Sequence, residues 1–224
     1  STIRLLTRHG CEVILPTGSG CCGALPQHMG KTVSGLSLAK ANLAAWTEEL
    51  EGDGIDAIIS NTSGCGTMLK DYGHIFRNDE TWSETAAKVS NRAIDISEFL
   101  SKTGITGTVP LRLSVAYHSA CSLQHGQQVH EAPKTLLERC GFKVLEVPEG
   151  HLCCGSAGTY NLLEPALANK LRDRKLMNIA TTAPDVIAAG NIGCITQLAS
   201  GTETPVVHTV QLLDWATGGP EPDF

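Results

Sequence analysis

The sequence predicts an α/β fold of two tandem, pseudo-symmetric Rossmann-like units, each a short parallel sheet flanked by helices. Three observations carry that expectation. Short apolar segments alternate with segments of helical period, the pattern of a parallel sheet covered by helices. The doublet Cys-Cys-Gly occurs twice, at Cys21-Cys22-Gly23 and at Cys153-Cys154-Gly155. The segments that lead into the two doublets come in the same order, so one unit is used twice.

In the first copy, residues Ser1 to Gly10 read as a short helix with a glycine C-cap, followed by a strand over Cys11–Pro16 and a loop over Thr17–Gly20. After the doublet, Leu36, Ala39, Leu43, Trp46 and Leu50 recur at helical spacing and define one buried face. Gly52-Asp53-Gly54 ends that helix. Ile55–Ser60 reads as a buried parallel strand, and Asn61–Gly66 as the loop after it, carrying Cys65. Thr81–Leu100 reads as a helix, and Thr103–Gly107 as a linker. The expected domains are therefore 1–102 and 108–224.

The second copy opens with a strand over Leu111–Tyr117 and a loop, His118–Cys121. A helix ending at Arg139 then meets a glycine cap at Gly141, and a strand follows over Phe142–Pro148. Gly10 aligns with Gly141 and Val13 with Val144. Beyond the second doublet, Leu163, Leu167 and Leu171 mark a helix, with Lys170, Arg172, Asp173 and Arg174 on its solvated side. Asp185–Gly190 is the matching strand and Asn191–Cys194 the matching loop. Pro205–Val207 reads as a strand, His208–Ala216 as a helix, and Gly218–Phe224 as a disordered tail. The counterpart of Cys121 in the first copy would lie upstream of Ser1, so the first copy is expected to lack its opening strand and cysteine.

Composition narrows the function. Apolar residues make up 42% of 224 positions, enough for a core without covalent staples. The net charge of −6 argues against a nucleic-acid partner. No apolar run has the length of a bilayer span and none reads as a signal peptide, so membrane association is expected only through partners. Nine cysteines, with doublets and glycine neighbours, point to metal binding in a reducing compartment and hence a cytoplasmic location.

Cys121, Cys153, Cys154 and Cys194 fall at the expected C-terminal ends of strands or in the loops that follow, where open α/β sheets place ligands. Four thiolates there suit an iron–sulfur cluster or a tetrahedral zinc. Cys21, Cys22 and Cys65 form the corresponding, incomplete set of the first copy. Cys11 and Cys140 do not recur and read as packing residues. His118, His125, His28 and His151 lie near the cysteines and could tune a cluster by hydrogen bonding. No triad order, phosphate loop or acid–base pair stands out, so no catalytic residue is expected.

The cysteine pattern of Cys121, Cys153-Cys154 and Cys194 resembles the CCG, or cysteine-rich, domain family, found in heterodisulfide reductases, lactate-utilisation proteins and the iron–sulfur subunits of glycolate oxidase. The stretches Arg4–Val13, Gly20–Leu25 and Cys153–Leu163 are most similar to the last group. The resemblance implies the C-terminal part of a larger electron-transfer subunit. Flavin-containing partner subunits would oxidise a 2-hydroxy acid such as glycolate, and this subunit would pass electrons toward quinone, peripherally at the inner face of the cell membrane. The heterodisulfide-reductase pattern ends in Cys-x-x-Cys, whereas Cys65 is followed by Met68 and Cys194 by Gln197. An ordinary 4Fe–4S cluster on the second copy is therefore expected in place of a noncubane one, with zinc as a substitute. The alternatives are a zinc-stabilised scaffold and a lactate-utilisation or heterodisulfide-reductase-like subunit.

Overall fold

The computed structural model describes residues 1–52, 54–109 and 112–224. It has the expected α/β architecture, with short parallel strands in two sheets flanked by helices. Packing divides the chain into Val13–Ile96 and a second unit of Ser1–Glu12 with Ser97–Phe224.

The chain begins with α1 (Thr2–Arg8), which belongs by its packing to the second of these units. Its glycine cap has the expected form. Gly10 has φ +83, and the Cys11 N–H reaches back to the Leu6 carbonyl at 3.1 Å, a Schellman closure.

In the unit Val13–Ile96, α2 (Ala24–His28) follows the doublet and α3 (Thr32–Glu51) follows α2. The buried face of α3 includes the expected Ala39, Leu43 and Leu50, with Leu36 and Trp46 packed beside them. The expected helix end at Asp53 lies outside the described residues. β1 (Ile58–Ser60) leads directly into α4 (Ser63–Ile75), so Cys65 stands in a first helical turn rather than in a loop. The helix expected over Thr81–Leu100 is three elements: α5 (Ser83–Arg92), β2 (Ala93–Asp95) and α6 (Ile96–Thr103). β2 pairs in parallel with β1, Ile59 opposite Ile94. The ladder outweighs a helical pattern that local propensity alone would continue. The strand expected over Cys11–Pro16 does not form. Its counterpart in the second copy is held by a neighbouring strand, and no such neighbour stands beside it among the described residues.

The other unit holds a four-stranded parallel sheet in the order β4-β3-β5-β6. β3 (Ser114–His118) is central and buried, and it runs into a π-helical turn over Ser122–Gly126. The expected start of β3 at Leu111 lies outside the described residues. α7 (Ala132–Arg139) closes on Gly141, φ +90, with the Phe142 N–H on the Leu137 carbonyl, the same Schellman closure as in α1. β4 (Lys143–Leu145), α8 (Tyr160–Leu163) and α9 (Pro165–Ala180) follow. The helix at α9 is where the sequence put it, but its face is different. Leu163 and Leu167 are exposed, and α9 buries Ala168, Lys175, Leu176 and Ile179. β5 (Val186–Ala189) is buried at every position and leads into α10 (Ile192–Ala199). β6 (Val206–His208) and α11 (Thr209–Ala216) complete the unit.

The Asp214 side chain on α11 is fully buried and receives Arg4 at 2.7 Å and Arg8 at 3.0 Å, which fixes α1 against α11. The expected disordered tail is instead ordered against this helix, with the Phe224 ring 6.0 Å from that of Trp215. No helix among the described residues is long and apolar enough to cross a membrane.

Candidate metal centre

Each Cys-Cys-Gly doublet is built by the same backbone device. Gly23 has φ +84 and Gly155 φ +91, a left-handed conformation that side chains resist. A Cβ at Gly23 would run into the Gly35 carbonyl, and one at Gly155 into the Ala168 carbonyl. The glycine thus lets the doublet lie directly on a later helix, α3 or α9.

In the second copy the parallel strands deliver the remaining side chains. His118 ends β3 and pairs with Ala189, the last residue of β5. Cys121 follows His118 at the start of the π-helical turn. Cys194 lies in the first turn of α10, where its N–H donates to the Oδ1 of Asn191, the N-cap residue, at 3.3 Å.

The four cysteines expected as ligands come together. Cys121 hydrogen-bonds to Cys153, Cys153 to Cys154, and Cys154 to Cys194. Donation to Cys153 pushes the Cys121 thiol up, and donation to Cys153 and Cys194 does the same for Cys154. Their acceptors move the other way: Cys153 is held low by Cys121 and Cys154, and Cys194 falls to about 5 through Cys154. The four sulfurs thus share protons along one row, a donor set matched to a soft cation or a cluster. Cys154 and Cys194 are buried, Cys121 and Cys153 half-buried.

Two further groups complete the surroundings. The ligand atoms of His118, Cys154 and Cys194 all lie within 4.8 Å of one another. Lys175 is 1% exposed and donates from Nζ to the carbonyls of Glu149 at 3.0 Å and Gly150 at 3.1 Å, in the loop before the doublet. Burial pulls its amine down, and the thiols of Cys121, Cys154 and Cys153 push it back up. The Glu149 carboxylate is bound in turn by Arg174 and, at 2.8 Å, by Asn178. Gln197, where a second cysteine of a Cys-x-x-Cys ending would stand, is buried and accepts from Asn161 at 3.1 Å.

The first-copy set also converges, with fewer members. The Cys22 and Cys65 sulfurs are 3.1 Å apart, which lowers the Cys65 thiol to about 7 and raises that of Cys22. Cys21 is exposed. Asn42 receives the Gly20 N–H at 2.7 Å and donates to the Cys21 carbonyl at 3.1 Å. The Tyr72 hydroxyl donates to the Cys22 carbonyl at 2.7 Å. Met68, at the place of the absent second cysteine, is part of the core.

Of the four histidines singled out from the sequence, only His118 is buried; His28, His125 and His151 are exposed. Cys140 is fully buried, as a packing residue should be, while Cys11 is only half-buried. Lys175 and Asn42 carry no motif in the sequence that marks them as part of a site. The signal for Lys175 is a lysine on the stripe of Ala168, Leu176 and Ile179, where apolar residues belong.

The family pattern described as the cysteine-rich domain, CCG, matches residues 1–70 and 115–199. The chain is similar to the glycolate oxidase iron-sulfur subunit of Escherichia coli (strain K12), with 39% identity over 96% of this chain and 53% of that protein. It is similar to the probable glycolate oxidase iron-sulfur subunit of Bacillus subtilis (strain 168), with 34% identity over 97% of this chain and 51% of that protein. Lactate utilization protein A of Oceanobacillus iheyensis is 27% identical over 95% of this chain and 88% of its own length. The chain spans about half the length of the first two relatives.

Proposed function

The chain belongs to the cysteine-rich (CCG) domain family, and we propose that it is the cluster-bearing, electron-transferring part of an iron–sulfur subunit in a 2-hydroxy-acid oxidase complex. One observation carries the reading: Cys121, Cys153, Cys154 and Cys194 form one hydrogen-bonded row at the C-terminal ends of β3 and β5. Two relatives named as glycolate oxidase iron-sulfur subunits support the complex and the substrate class. The proposed group is a 4Fe–4S cluster, with those four cysteines as its candidate ligands. A cluster of this kind supplies one-electron transfer at a potential set by its ligands, hydrogen bonds and burial.

The chain's own residues hold and insulate the site. Lys175 ties down the loop before the doublet and brings a buried positive charge toward thiolates. Gly155 lets the doublet rest on α9, and Asn191 fixes the turn that carries Cys194. Substrate oxidation falls to flavin-containing partner subunits, with electrons leaving toward quinone from a cytoplasmic position peripheral to the membrane. The sequence repeat, 1–102 and 108–224, is proposed as the unit of duplication, with the set Cys21, Cys22 and Cys65 as a partial second site.

Anaerobic reconstitution of the chain with iron and sulfide tests the reading. Four irons and four sulfides per chain are expected for a 4Fe–4S cluster, with visible absorbance that Cys154→Ser abolishes and Cys22→Ser leaves in place. One zinc per chain, with no iron after anaerobic handling, would replace the proposal with the zinc-stabilised scaffold.

A further inference from the structure

His118 is 2% exposed, and its ring meets the Cys194 thiol, without a hydrogen bond of ordinary geometry at either nitrogen. Buried imidazoles ordinarily bond at both nitrogens or use one of them on a metal. The ring is placed by the sheet. His118 ends β3 in register with Ala189, and the chain beyond Ala189 leads within one turn to Cys194. Its ligand atom and the sulfurs of Cys154 and Cys194 lie within 4.8 Å of one another, all three residues buried. No other group of three such donors stands this close among the described residues. Gln197 offers no competing metal ligand: its Oε1 accepts from Asn161, and its Nε2 carries only N–H donors.

We propose that His118 is a direct ligand of the second-copy metal centre, a nitrogen donor beside Cys154 and Cys194. The proposal rests on the metal-centre reading of the site and refines it: an ordinary 4Fe–4S cluster takes one protein donor at each iron, so His118 would stand in place of one of the four thiolates. An imidazole in place of a thiolate contributes no negative charge, and clusters with histidine ligands sit at higher potential than all-cysteine ones. The centre would therefore be tuned upward relative to an all-cysteine one.

The full chain, labelled with 15N-histidine and reconstituted anaerobically, is examined in the reduced state by pulsed EPR. A strongly coupled nitrogen is expected in the wild type. It should vanish in His118→Cys, whose cluster keeps its iron and sulfide content and shifts to lower potential. A cluster at full iron and sulfide content with only weakly coupled nitrogen in the wild type overturns the proposal; that result assigns His118 a hydrogen bond to sulfur. Failure to take up iron and sulfide overturns the cluster reading instead, and cobalt(II) alone then decides on His118. The wild-type chain should bind cobalt at least about tenfold more tightly than His118→Ala, since even groups behind a ligand are worth about 10–100-fold in affinity. Equal affinity with unchanged ligand-field bands overturns the proposal in that arm too.

Discussion

Asn42 in α3 and Lys175 in α9 stand at matching places in the two repeats and perform the same mechanical task with different charge. The register is set by the doublet glycines, Gly23 against the Gly35 carbonyl and Gly155 against that of Ala168. Counting the same distance along each helix leads to Asn42 and to Lys175. Both are 1% exposed, and both hold the loop before the doublet through its backbone carbonyls. An amide serves as donor and acceptor, and Asn42 does both, receiving the Gly20 N–H as well. An ammonium only donates, and its burial is costly unless negative charge lies near. In the second copy Cys121, Cys154, Cys153 and Glu149 supply that negative charge when ionised. The difference teaches that the second site is built for a more anionic content than the first.

Exchanging the two residues tests this most severely. Asn42→Lys buries a cation beside the smaller sulfur set of Cys21, Cys22 and Cys65, and should cost about 3–5 kcal/mol in denaturant unfolding, the penalty of an uncompensated buried charge. Lys175→Asn leaves the Glu149 and Gly150 carbonyls under-satisfied and should cost about 1–3 kcal/mol. It should also lower the reduction potential of the reconstituted centre by removing a nearby positive charge. If Asn42→Lys is as stable as the wild type, the two sites are electrostatically alike and the comparison fails.

The extent to which the sequence foretold these features follows from how local their signals are. The Schellman glycines Gly10 and Gly141 and the doublet glycines were legible because each needs a left-handed backbone at one position. The grouping of Cys121, Cys153, Cys154 and Cys194 was legible because strand ends in a parallel sheet converge. Four features were not. β2 hides because Ala93–Asp95 owes its strand to β1, a partner distant in sequence. The first turns of α4 and α10 looked like loops because Gly64, Gly66 and Gly193 surround their cysteines. The face of α9 was misassigned because the leucines at 163 and 167 are exposed while a lysine is buried. The tail was read from its Pro and Gly content, yet Phe224 finds Trp215.

The glycine caps offer a milder comparison, since each has its own cysteine nearby. Cys140 precedes Gly141 and is fully buried, and burial raises its thiol from 9.0 to about 11. The folded chain therefore keeps a proton that the unfolded chain releases above its own lower pKa. Stability from this group is intact below about pH 9 and is lost as the pH rises toward about 11. Unfolding curves across that range should fall more steeply for the wild type than for Cys140→Ala, after correction for the variant's lower stability at neutral pH. Cys11, which follows Gly10, is half-buried. In the native protein it should react with a thiol-alkylating reagent, while Cys140 reacts only on unfolding. Equal alkylation rates would mean that the two caps are packed alike.

The smallest expected difference lies at the helices that carry Cys65 and Cys194. Asn191 caps α10 by accepting the Cys194 N–H, whereas Thr62 makes no side-chain cap at α4. An N-cap side chain contributes about 1 kcal/mol when it bonds an otherwise unpaired amide. Asn191→Ala should therefore cost about 1 kcal/mol, and Thr62→Ala less than about 0.5 kcal/mol. The bond also has a local consequence, because the capped amide belongs to Cys194, a proposed ligand. Its loss should raise hydrogen exchange at Cys194 more than Thr62→Ala raises it at Cys65. Matching losses at both sites would show that the cap bond does not set the two turns apart, leaving the buried Lys175 and the larger cysteine set as the basis of the asymmetry.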